Sequence, residues 1–207
     1  MISAASGSGK STLVDAVLGR VTGAERVVTC TTRAPRGAER DGVDYHFLTT
    51  DEFERRIAAC DFLEHARVHG DRLYGTSRSA IETVLARGVD LLLVIDVQGA
   101  EQVRTRMPEA VSVFVLPPSA AALEERLRRR CAEENHTDEA DVAVRLATAR
   151  SEVPRFGEFS YVIVNDDFDR AVDELASIVA AERCRVERQR TRLSEILKTF
   201  GVESLHA

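Results

Sequence analysis

Apolar residues fall in short, nearly unbroken runs, separated by stretches with helical spacing. Val27-Val28-Thr29-Cys30, Leu91-Leu92-Leu93-Val94-Ile95, Val111-Ser112-Val113-Phe114-Val115-Leu116 and Tyr161-Val162-Ile163-Val164 are bounded by polar or turn residues. Strands covered on both faces read this way, as parallel sheets require. Between the runs, the spacing predicts helices over residues 11–20, 99–107 and 119–130, and one long helix from Phe168 onward. The alternation predicts an α/β three-layer fold with a parallel central sheet.

Residues 33–86 break the pattern. A turn at Arg40-Asp41-Gly42 precedes Val43-Asp44-Tyr45-His46-Phe47-Leu48, where apolar and polar positions partly alternate. A short helix over 52–59 and a mixed strand region over 62–74 follow, which reads as an inserted, partly antiparallel subdomain. Residues 133–141 form a charged stretch between helical patterns, read as a mobile loop. The last helical pattern becomes densely charged at Glu182-Arg183-Cys184-Arg185-Val186-Glu187-Arg188-Gln189-Arg190. Such a run reads as a solvated face laced with i,i+4 pairs, or as a contact for a homo-oligomer.

Composition narrows the function. The chain has 207 residues, enough for one domain with a sizeable core. Its net charge of −6 argues against a sequence-independent nucleic-acid binder, which would spread positive potential over a broad face. No run approaches the roughly 20 apolar residues that span a bilayer, and Met1-Ile2-Ser3 lacks the pattern of a signal peptide. Cys30, Cys60, Cys131 and Cys184 lie far apart, as free thiols in the cytoplasm would.

The most informative segment is Ala4-Ala5-Ser6-Gly7-Ser8-Gly9-Lys10-Ser11-Thr12. A glycine-rich turn lets successive N–H groups point at phosphate oxygens, because glycine accepts positive φ. Lys10 can then reach β and γ phosphates, Ser11 can offer its hydroxyl to Mg²⁺, and the following helix aims its positive end at the anion. Ala4 stands where the P-loop pattern usually has glycine. Only Met1-Ile2-Ser3 precede it, where a strand of about 5 residues is expected, so the first strand is a stub or the encoded start lies upstream. Asp96 closes the run 91–95 and is placed either to hold Mg²⁺, directly or through water, or to cap the next helix; the two roles are compatible.

Further segments follow in order: Thr29-Cys30-Thr31-Thr32-Arg33-Ala34-Pro35-Arg36 leading to Gly42-Val43-Asp44-Tyr45; Phe62-Leu63-Glu64-His65-Ala66 leading to Tyr74-Gly75-Thr76-Ser77; Ile95-Asp96-Val97-Gln98-Gly99; Leu116-Pro117-Pro118-Ser119; and Val164-Asn165-Asp166-Asp167. With the phosphate turn, these resemble the guanylate kinase family from end to end. The resemblance implies a P-loop NTPase core (1–32, 87–127 and 154–207), a GMP-binding subdomain (33–86) and a lid (128–153). It implies Mg²⁺-assisted in-line transfer of a phosphoryl group from ATP to GMP and dGMP. It further implies that Arg33, Arg36, Tyr45 and Tyr74 hold the GMP phosphate, and that Glu64, Thr76, Thr29 and Asp96 surround the guanine. Arg130 and Arg145 become lid arginines, catalytic together with Lys10. Asn165 joins residues 4–12 on the ATP side.

Physical chemistry agrees with that assignment. Pro35 stiffens the turn carrying Arg33 and Arg36, whose guanidinium forks suit a phosphate dianion. Guanine presents adjacent N1–H and N2–H donors that one carboxylate accepts together; adenine places a lone pair there, which makes Glu64 the residue for base selectivity. Arg128 and Arg129 read as solvated charges at a helix end. The sequence departs from the family at Val94, where an acid is common, and at Arg129 and Cys131, where glycines are typical. The 64–74 and 132–139 segments also look longer than usual. Another small-molecule P-loop kinase and a non-catalytic guanylate-kinase-like binding module remain as rivals.

Overall fold

The computed structural model describes residues 1–5, 7–68, 71–133 and 139–202, without the side chains at 130, 133, 139 and 141. Strand β1 (Ile2–Ala4) is fully buried and pairs in parallel with β8 (Val113–Leu116), which pairs in parallel with β9 (Tyr161–Val164). On its other side, Ile2 donates to the Leu93 carbonyl at 2.7 Å and accepts from Ile95 at 3.1 Å. This joins β1 to the segment after β7 (Asp90–Leu92), which pairs in parallel with β2 (Ala24–Arg26). The central sheet therefore runs β2-β7-β1-β8-β9, all parallel.

Helix α1 (Lys10–Leu18) buries Leu13, Val14 and Val17 on one face of this sheet, beside Val172 and Leu175 of α7 (Phe168–Arg183). Helix α4 (Val97–Arg106) covers the opposite face with Ala100 and Val103, against Leu63, Leu93 and Ile95. These layers match the α/β expectation.

A second sheet, order β4-β3-β6-β5, is formed by β3 (Cys30–Thr31), β4 (His46–Phe47), β5 (Phe62–Val68) and β6 (Arg72–Ser77). It mixes one parallel pair, β3 with β4, and two antiparallel pairs. Helix α2 (Thr50–Ala58) seats Phe53 on it, stacked on Phe62 at 4.5 Å between ring centroids. Helix α3 (Arg78–Leu85) leads back to the core. Helices α5 (Ala120–Glu133) and α6 (Glu139–Glu152) pack together through Leu123, Leu127, Cys131 and Val142. A 3₁₀ turn (Val153–Glu158) returns the chain to β9.

Three elements differ from the sequence reading. Val27-Val28-Thr29 forms no strand: the pairing partner of β7 lies just before it, and Cys30–Thr31 belongs to the second sheet. The run is apolar because Val27 plugs the α4 side of the core, so apolarity here marked burial without a ladder. The last helix is two: α7 ends at Cys184, and α8 (Val186–Thr199) begins after Arg185 turns extended, at φ −61° and ψ 141°. The 133–141 stretch starts inside α5 and ends inside α6, with 134–138 outside the described residues.

Candidate active site

The turn between β1 and α1 is built as the glycine spacing requires. Gly7 and Gly9 sit at φ of 88° and 84°, which side chains with a Cβ rarely adopt. A Cβ on Gly7 would lie 2.7 Å from Leu127 Cδ2, and one on Gly9 2.8 Å from the Asn165 amide nitrogen. The first turn of α1 has no side-chain cap and no acidic residue, so its amides stay available to an anion. The Lys10 ammonium donates to the Ile95 carbonyl at 2.5 Å. Burial lowers its pKa, and the carboxylates of Asp96, Glu152 and Glu64 oppose that shift.

One cleft of about 850 Å³ runs from this turn to the second sheet. Ala4, Ala5, Gly7, Ser8, Gly9, Lys10, Ser11, Thr12 and Asn165 line one end, and Arg145 of α6 also lines the cleft. Thr29, Arg33, Arg36, Tyr45, Glu64 and Tyr74 line the other end, with Asp96 also in the wall. Thr76 acts from behind: its hydroxyl donates to Glu64 Oε1 at 2.5 Å. Ser6 and the Arg130 side chain lie outside the described residues.

Arg33 is held on several sides. Its Nε donates to the Tyr74 hydroxyl oxygen at 3.1 Å, and its guanidinium carbon stands 4.7 Å from the centre of the Tyr45 ring. Glu39, which the sequence reading did not single out, accepts from both terminal nitrogens of Arg33. The signal for it was there in outline: Arg33, Arg36 and Glu39 are spaced by three within one turn segment.

Glu64 is only 3% exposed. Burial pushes its carboxyl up to about 7; the Thr76 hydrogen bond and Lys10 pull the other way, and Asp96 adds to the rise. Helix α4 fixes its surroundings. Asp96 caps the helix by accepting from Gly99 N at 2.7 Å, and Gly99 leaves the space where a Cβ would meet Glu64 Oε2 at 2.5 Å. Gln102 then exchanges hydrogen bonds with both backbone groups of His65 (3.3 and 2.6 Å), holding the edge of β5 next to Glu64.

Asp96 has a second free face: Oδ2 is buried and has no hydrogen-bond partner among the described residues. A carboxylate oxygen left in that state, in a wall shared with Ser11, fits a divalent cation carried in by a nucleotide. No cluster of three or more metal-binding side chains occurs among the described residues.

At the phosphate-turn end, Asn165 is buried and ties the end of β9 to that turn, donating to the Ser8 carbonyl at 2.9 Å. Arg126 donates to the Asn165 carbonyl at 2.8 Å and, with Arg129, also faces the cleft. Arg128 pairs with Glu124 one turn earlier, as a solvated charge does. Arg129 is exposed as well, while also bordering the cleft.

Among known proteins, the guanylate kinase family model matches residues 1–182. A guanylate kinase of Alkalilimnicola ehrlichii is 46% identical over 198 residues, covering 96% of this chain and 95% of the relative. That of Xanthomonas axonopodis pv. citri is 47% identical over 200 residues, covering 97% and 96%. The crystal structure of guanylate kinase from Anaplasma phagocytophilum superposes with a TM-score of 0.73 at 34% identity, over 94% of this chain and 92% of that one. With the phosphate turn, the twin arginines and the buried glutamate arranged along one cleft, the chain belongs to the guanylate kinase family.

Proposed function

We propose that the chain transfers the γ-phosphoryl group of ATP to the phosphate of GMP or dGMP, giving ADP and GDP or dGDP. An acceptor phosphate oxygen attacks Pγ in line while the bond to the β-phosphate oxygen breaks. The observation that carries this reading is the single cleft with a phosphate turn at one end and Arg33, Arg36, Tyr45, Tyr74 and Glu64 at the other. Phosphoryl transfer needs positioning and charge neutralisation more than covalent help. Lys10, Arg145 and Arg130 supply positive charge around the transferring group. Ser11 and Asp96 would hold Mg²⁺, which neutralises charge on the β and γ oxygens when bound. Thr29 and Thr76 complete the guanine side, and Asn165 the adenine side.

The test is ADP release with GMP, dGMP, AMP, CMP and phosphorylated sugars as acceptors. The proposal expects turnover with GMP and dGMP; turnover with the others but not with GMP would refute it.

The Glu64 carboxyl gives the acceptor's affinity a pH dependence. Guanine requires the ionised form, which is lost as pH falls through about 7. The Michaelis constant for GMP is expected to rise about tenfold per pH unit below that point. The phosphate's own titration near pH 6 remains in a Glu64→Gln variant, whereas the inflection near 7 should vanish. Identical profiles for the two proteins would contradict the assignment.

No helix among the described residues is long and apolar enough to cross a membrane. We also infer self-association through α8, which has no buried residue and exposes Ile196 and Phe200 beside its charges. Sedimentation should give a dimer or larger species that Phe200→Glu dissociates; a monomeric parent protein would refute this.

A further inference from the structure

Where the acceptor's phosphate should bind, the protein already holds a carboxylate. Glu39 Oε2 accepts from Arg33 NH1 at 2.6 Å and Oε1 from Arg33 NH2 at 2.7 Å, a fork-to-fork pair. The same Oε2 accepts the Arg36 backbone N–H at 2.8 Å, and the Glu39 N–H donates to the Arg36 carbonyl at 3.0 Å. Glu39 is thus tied to its own turn as well as to the arginine. Burial pushes its pKa up, but the hydrogen bonds from Arg33 and the Arg36 amide outweigh this, so it stays ionised. The Arg33 side chain is only 6% exposed and that of Glu39 24%, so the pair is largely shielded from competing water.

A donor count shows the consequence. A guanidinium carries five N–H groups. In Arg33, Nε donates to Tyr74, NH1 to the Ala34 carbonyl and to Glu39, and NH2 to Glu39. Among the described residues, one N–H is left for a ligand. Because the Tyr74 oxygen accepts from Arg33, its own O–H points away from the guanidinium, and Tyr74 lines the cleft.

We infer that Glu39 is a positioning residue for the acceptor's phosphate. It locks the Arg33 fork so that one N–H and the Tyr74 hydroxyl face the dianion, and it sets the turn from which Arg36 is presented. A carboxylate that merely occupied the phosphate's place would have to leave on binding, giving up both fork bonds and its bond to the Arg36 amide. That amide bond instead makes Glu39 part of the scaffold. Without it, two like charges three residues apart lose the group that fixes one of them. This inference rests on the acceptor assignment proposed above.

The test uses Glu39→Gln and Glu39→Asp in the full chain, with steady-state kinetics and with guanosine as a competitive ligand lacking the phosphate. Glu39→Gln is expected to raise the Michaelis constant for GMP by about ten- to a hundredfold, the range for losing a charge-assisted contact. Turnover at saturation, the Michaelis constant for ATP and the affinity for guanosine should stay within about threefold of the parent protein, the scatter expected of a distant contact. Glu39→Asp keeps the charge and should recover part of the loss; it also decides the matter should the glutamine variant fail to fold. An unchanged or lowered Michaelis constant for GMP would overturn the inference, the lowered value marking Glu39 as a resident competitor. A parallel loss of guanosine binding would overturn it too, because the effect would then be structural. If the parent protein itself does not turn over GMP, it is the functional proposal that fails.

Discussion

Lys10→Met is expected to lower kcat by two to three orders of magnitude, leave the Michaelis constant for GMP within a few-fold and preserve the fold. Removing one preorganised donor from a developing charge costs about 10²–10³ in rate, and this donor is a full cation held at the start of α1. Its ammonium rests on the Ile95 carbonyl, beside Asp96. Met fills the same channel with apolar atoms, so the fold loses about one net hydrogen bond, roughly 1 kcal/mol. The acceptor end of the cleft is built by the second sheet and by α4, which Lys10 meets only through the Ile95 carbonyl and its charge near Glu64. Rates of ADP formation at saturating substrates, together with a melting curve, check this. Unchanged turnover would refute the catalytic role of Lys10 and of the phosphate turn that carries it.

Glu64→Gln should act on the other substrate. The amide keeps the volume and can still accept from Thr76, but it replaces one acceptor by an NH₂ donor. Facing guanine's N1–H and N2–H, one contact survives and the other becomes donor against donor. Sites built to pair a substrate's polar edge reject analogues by factors of about 10⁴ when that pairing is lost. The ratio of kcat/KM for GMP over AMP should therefore fall by several orders of magnitude, mainly through the Michaelis constant for GMP, while that for ATP barely moves. The close fit of Gly99 and the clamp of Gln102 on His65 hold position 64 in place, so the substitution should be felt in chemistry rather than in folding. Equal losses for both nucleotides would assign Glu64 to packing alone.

Much of this architecture was legible in the chain. Glycine is needed at 7 and 9 because only there does the backbone turn at positive φ against Leu127 and Asn165. The run at 161–164 is a strand with those bounds because it is the short outer strand of the parallel sheet. The brief β1 is paired on both sides and buried throughout. What the sequence hid depends on long-range pairing. Val27 has the look of a strand residue, yet it serves as a plug, because the ladder is decided by where β7 lies. Just before the break after Cys184, Glu182 turns inward and accepts from Tyr161 at 2.6 Å, a contact far away in sequence.

The site followed the same division. The residues that point at ligands carry their chemistry in their type and order, and most of them line one cleft. The residues that hold them in place do not. Glu39, which its sequence position alone does not mark, takes both terminal nitrogens of the Arg33 fork. Arg128 and Arg129 carry the same charge on neighbouring exposed positions, yet Arg128 pairs with Glu124 while Arg129 borders the cleft.

The central claim is that one continuous cleft holds donor and acceptor end to end. Calorimetric titration with adenosine and guanosine joined through a 5′,5′-oligophosphate measures this directly. The account predicts one molecule bound per chain, at least about a hundredfold more tightly than GMP alone, because linking turns the second contact into an intramolecular one. Affinity no better than that of GMP, or no loss of it in Lys10→Met, would contradict it.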